Sequence, residues 1–97
     1  FSQYPAVEHD LAIVVDNTVT CEDLERRITS AGGKLLEGVR LFDVYRDPVR
    51  VGVGKKSMAF ALTYRSDDHT LTSEEVEKAH QKIVTKVCKG VNGEVRG

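Results

Sequence analysis

Asp43 and Tyr45 stand two residues apart in the stretch Leu41-Phe42-Asp43-Val44-Tyr45-Arg46, and Ser57 opens the run that follows Lys55-Lys56. Residues two apart on a strand face the same way, so a strand here presents a carboxylate and a phenol ring together. A carboxylate can accept from the ring N-H and amino group of a guanine, and an aromatic ring is a platform for an unstacked base. If the neighbouring strand turns its small side the same way, Ser57 adds a donor and an acceptor, and Ala59 leaves room for close approach. Arg46, Lys55 and Lys56 are then candidates to hold flanking phosphates. The same residues also fit a plainer reading: Tyr45 as a cross-strand aromatic, Asp43 in a turn, Ser57 as a solvated strand start.

Charge supports either reading. The chain of 97 residues has a formal net charge of -1, yet from residue 40 to 65 six bases (Arg40, Arg46, Arg50, Lys55, Lys56, Arg65) stand against Asp43 and Asp47. A locally basic edge attracts phosphate without a basic protein. A hairpin edge guarded by Lys and Arg against unwanted strand pairing gives the same pattern.

Other chemistries find little purchase. Cys21 and Cys88 are far apart and in no zinc-ligand spacing, so both are expected to pack as small apolar groups. His9, His69 and His80 share no ligand spacing and no neighbouring nucleophile. His80 is expected to pack on a helix and His69 to lie in the turn before it. The stretch Asp16-Asn17-Thr18-Val19-Thr20-Cys21 lacks the paired cysteines of a metal carrier and the arginine of an acylphosphatase-like anion cradle. No apolar run approaches the roughly 18 residues of a membrane helix and no signal peptide opens the chain, so a cytoplasmic location is expected.

The elements that must position these side chains fit one domain. Thr20 with Asp23 forms a capping-box-like pair, and Leu24, Ile28 and Ala31 continue an apolar stripe up to Gly32-Gly33, which predicts a helix over about 20–31. Thr72 with Glu75, then Val76, Ala79, His80, Ile83, Val84 and Val87, predict a second helix closed by Gly90. Strands are expected at Leu11 to Val15, at Leu35 to Tyr45 with an interruption at Glu37-Gly38, from Ser57 to Tyr64, and near Val91 to Val95. In the third of these, Met58, Phe60, Leu62 and Tyr64 alternate with small residues, making one large apolar side. The order strand, helix, strand, strand, helix, strand is α+β and ferredoxin-like: a βαββαβ two-layer sandwich with a four-stranded antiparallel sheet and two helices on one face.

The strand pair carrying Asp43, Tyr45 and Ser57, together with Tyr4-Pro5, His9-Asp10-Leu11-Ala12 and Thr70-Leu71-Thr72-Ser73-Glu74-Glu75-Val76, resembles the ferredoxin-fold anticodon-binding domain at the C-terminus of bacterial phenylalanyl-tRNA synthetase beta chains. The resemblance runs nearly end to end. It implies binding of the tRNA-Phe anticodon stem-loop, with Asp43, Tyr45 and Ser57 at positions that contact the first anticodon base, a guanosine. It implies a parent heterotetramer of alpha and beta subunits that uses ATP and magnesium, with the aminoacylation site in the alpha subunit. For residues 1–97 it implies a single non-catalytic domain that binds no cofactor or metal itself, and the start at Phe1 agrees with excision from a longer chain. Where such domains usually carry arginine before Asp10, this sequence has His9, which implies a weaker or pH-dependent phosphate or base contact there.

Three rivals use the same architecture. An RNA recognition motif expects a glycine where Ser57 follows the basic residue. A regulatory module for a small ligand expects glycines in the first strand-helix turn, where Asp16 to Thr20 has none. An assembly domain would show an apolar exposed face.

Overall fold

The computed structural model describes residues 4–96. Its elements are β1 (Val7–Asp16), α1 (Cys21–Gly32), a 3-10 turn at Gly33–Leu35, β2 (Leu36–Tyr45), the short α2 (Pro48–Val51), β3 (Lys55–Tyr64), α3 (Ser73–Val91) and β4 (Glu94–Val95). The strands form one antiparallel sheet in the order β2-β3-β1-β4. The ferredoxin-like order is therefore realised, with β3 inserted between the strands that α1 connects.

Alternation decides the two sides of the sheet. Leu11, Ile13 and Val15 of β1 and Met58, Phe60, Leu62 and Tyr64 of β3 are buried against Leu24 and Ile28 of α1 and Val76, Ile83 and Val87 of α3. The intervening residues face the uncovered side. That is why β1 runs beyond the apolar stretch: Glu8, Asp10 and Asp16 extend it on the side where charge remains in water. In β2, register shifts fall between Leu36 and Gly38, at the interruption expected near Glu37-Gly38, and between Leu41 and Asp43, where Phe42 is the extra residue and is half exposed.

Both helix starts follow their caps. The Thr20 hydroxyl accepts from the Asp23 N-H at 3.1 Å, and Thr72 and Glu75 exchange both bonds of a capping box. The end of α3 differs from expectation. Gly90 lies within the helix, and the left-handed residue that ends it is Asn92, at φ 54°, whose N-H donates to the Cys88 carbonyl. Gly90 has another use, because a Cβ there would stand 2.6 Å from Arg27 Nη1. Glycine thus lets the Arg27 side chain lie close against α3. The last strand is also shorter than the expected Val91 to Val95.

Cys21 and Cys88 are free, half-buried thiols packed against the core. Burial, then the hydrogen bond to Glu25, pushes the Cys21 thiol up to about 11, and burial raises Cys88 as well. Neither is activated as a nucleophile. His80 packs on the core as expected, its Nδ1 2.8 Å from the Tyr64 hydroxyl and its ring 4.3 Å from that of His9. His69 lies before α3, bonded to Asp68 and, at 2.7 Å, to Glu75.

Candidate nucleic-acid interface

Three successive rows of side chains on the uncovered side of the sheet form the site. Strand register places Arg40, Ala61 and Asp10 in one, Asp43, Ala59 and Ala12 in the next, and Tyr45, Ser57, Val14 and Glu94 in the third. Asp43, Tyr45 and Ser57 are therefore adjacent, with the small residues Ala59 and Ala12 beside them. Of the side chains that the sequence placed together, Asp43, Tyr45, Ser57 and Ala59 meet on one surface.

Tyr45 is held at two points. Its hydroxyl donates to Asp47 Oδ2 at 3.2 Å, while Asp47 Oδ1 accepts from the Val49 N-H at 2.9 Å and so caps α2. The Arg96 guanidinium carbon sits 4.5 Å from the centroid of the Tyr45 ring. Arg96 leaves the opposite edge of the sheet, where its N-H donates to the Ala12 carbonyl at 2.8 Å, so its side chain must cross β1 and β3 to arrive. Residues as small as Ala12, Ala59 and Ser57 allow that crossing. Ser57 is only 3% exposed, not a solvated strand start.

The cations divide. Lys55 shares the parity of Ser57 and lies at the end of the site opposite Asp16; Arg46 is exposed just beyond Tyr45. Lys56 is a correction. It pairs with Val15, on the helix-covered side, and is 7% exposed, close enough to the start of α1 to act on the Cys21 thiol. Successive strand residues face opposite ways, so Lys55 and Lys56 cannot both join one surface. His9 shares the side of Leu11 and packs its ring against that of His80, tilted by 40°, so a contact from that position does not lie on the uncovered face. Arg65 pairs with Glu37 at 2.8 Å at the far end of β3.

Arg40, Asp47 and Arg96 belong to the site geometry without having been singled out as binding residues. Arg40 reaches the row beside Asp43 through the bulge at Phe42. Arg96 arrives only through the pairing of a two-residue strand with β1. Among the described residues no group of three or more His, Cys, Asp or Glu side chains is arranged to hold a metal ion, and no helix is long and apolar enough to cross a membrane.

A four-stranded antiparallel sheet with its helices on one side and a polar, aromatic corner on the other defines a ferredoxin-like βαββαβ domain. The chain belongs to the ferredoxin-fold anticodon binding domain family, whose model matches residues 2–96. It is similar to the phenylalanine-tRNA ligase beta subunits of Clostridium tetani, 44% identical over 97% of this chain and 12% of the relative, and Symbiobacterium thermophilum, 48% identical over 97% and 10%. That of Bacillus subtilis is 51% identical over 84% of this chain and 10% of its own length. The chain spans about a tenth of the length of these curated relatives.

Proposed function

We propose that the uncovered side of the sheet receives an unstacked guanine from the anticodon loop of tRNA-Phe, in the beta subunit of a phenylalanine-tRNA ligase. The observation that carries this reading is the adjacency of Asp43, Tyr45 and Ser57 on the one uncovered surface. In it, Asp43 accepts from the guanine N1-H and amino group, the Tyr45 ring stacks on the base, and Arg46 and Lys55 attract flanking phosphates. A base that stacks on the ring face now taken by Arg96 displaces the guanidinium. The parent enzyme in this reading is an assembly of alpha and beta subunits that uses ATP and magnesium elsewhere, while these residues supply recognition alone.

The test is an NMR titration with a tRNA-Phe anticodon stem-loop at low salt. Shifts centred on Asp43, Tyr45 and Ser57 that disappear with Tyr45→Ala, and also when the first anticodon base is changed, support base-specific recognition. Equal shifts with any RNA reduce the reading to phosphate attraction.

A further inference from the structure

The helix layer, on the far side of the molecule from Tyr45, carries a second concentration of charge. Lys78, Lys82, Lys86 and Lys89 of α3 are all exposed. At about 100° per residue they fall within an arc of about 80° and extend about 16 Å along the helix. That arc borders α1. Lys86 lines a groove of about 350 Å³ with Arg26, Arg27 and Ser30, and Lys78 and Lys82 line its continuation with Lys34.

Acids offset the N-terminal end of this stripe and leave the rest in excess. Glu74 and Glu77 share another recess with Lys78 and Gln81, at the N-terminal end of the stripe, and leave Lys82 and Lys86 without an acid in that recess. Glu75 borders the groove beside Lys78 and Lys82 and stays ionised, held by the Thr72 N-H and by His69, so it offsets one charge there, while Lys34, Lys82 and Lys86 outnumber it. Asp23 is bonded to both Arg26 and Arg27, which hold its carboxyl below the usual range, and one of those two charges remains in excess.

We propose that the groove between α1 and α3 is a second nucleic-acid surface, a sequence-independent track for the phosphates of a single-stranded RNA on the face opposite the sheet site. Its composition selects this partner over an acidic protein. Protein interfaces are depleted in lysine and centred on aromatic and apolar anchors, whereas the exposed large hydrophobics among the described residues are Phe42, Val49, Val53 and Val95, none of them on α1 or α3. Exposed lysines along a groove suit repeating phosphates, and the groove lining offers no aromatic ring to read a base. This inference does not depend on the reading of the sheet face.

The probe is a 12-nucleotide oligouridylate, which contains no guanine, titrated into the 97-residue chain over a range of salt concentrations. Shifts on Ala31, Lys82 and Lys86 are expected, with salt-dependent binding. In Lys82→Gln/Lys86→Gln the slope of log K against log salt should fall in magnitude by about 1.4, the loss of two phosphate contacts on a single strand. The anticodon stem-loop should still perturb Asp43 and Tyr45 in that variant, which separates the two sites, and an unchanged amide spectrum shows that it is folded. An unaltered slope, or oligouridylate shifts confined to the sheet side, overturns the proposal. Equal binding of a polyglutamate peptide of matched charge overturns it in favour of an acidic protein partner.

Discussion

The Arg96 guanidinium lies 4.5 Å from the centroid of the Tyr45 ring, although Tyr45 ends the strand at one edge of the sheet and Arg96 follows the strand at the other. The pair closes over the small residues between them and joins β4, only two residues long, to β2.

Removing that contact weakens the domain modestly. Arg96→Ala is expected to lower stability by about 0.5–1 kcal/mol, the range of an exposed cation-π pair, measured by urea unfolding. The Tyr45 ring resonances should shift at the same time. A variant in which they do not move would show that the pair is unoccupied in solution.

Tyr45 separates ring from hydroxyl. Tyr45→Phe keeps the stacking surface and loses the bond to Asp47, at about 0.5–1.5 kcal/mol of stability, with stem-loop affinity largely retained. Tyr45→Ala should weaken stem-loop binding by about 1–3 kcal/mol, the contribution of one stacked base. Calorimetric titration of both variants checks the difference.

Gly93 governs how β4 docks. A Cβ there would stand 2.8 Å from Ile13 Cγ2 and 3.1 Å from the Val14 carbonyl oxygen, and the oxygen belongs to a backbone held in the sheet. Gly93→Ala should therefore destabilise by about 1–3 kcal/mol, as overpacking does. Loss of protection at the Arg96 amide in hydrogen exchange would locate the damage at the β1-β4 edge.

Two histidines oppose each other in pH dependence. Burial, and then the neighbouring His9, hold His80 below its ordinary 6.5. Its contribution is thus present above about pH 6.5 and is lost as pH falls toward the folded value. His69 runs the other way. Its bonds to Asp68 and then Glu75 raise it above 6.5, so its contribution is present below that pH and is lost as pH rises through the raised value. Thermal unfolding from pH 5 to 8 should show His80→Gln with a flatter acid side and His69→Gln with a flatter neutral side. The exposed His69 should give the smaller change, because solvent screens its ion pairs.

Much of this architecture is written locally. Thr20 and Thr72 start their helices because a side-chain oxygen can satisfy an N-H within one turn, and the Met58 to Tyr64 alternation fixes which side of β3 is buried. The same alternation puts Asp43 and Tyr45 on one surface and already separates Lys55 from Lys56. Other features depend on distant partners. That β3 also pairs with β1, so that Ala12 and Val14 join the surface of Tyr45 and Ser57, follows from packing both helices on one side of a sheet. Glycine at position 90 reads as a helix end until Arg27 is seen packed against it. Arg96 and the α1-α3 groove are the clearest cases: a two-residue strand has no periodicity to read, and charges from two helices become one surface only when those helices lie side by side. The sequence by itself determined the two long helices, the three long strands, their order and the residue types at the site; the tertiary structure alone decided which of them meet, because a contact between distant residues depends on register and packing that no local pattern encodes.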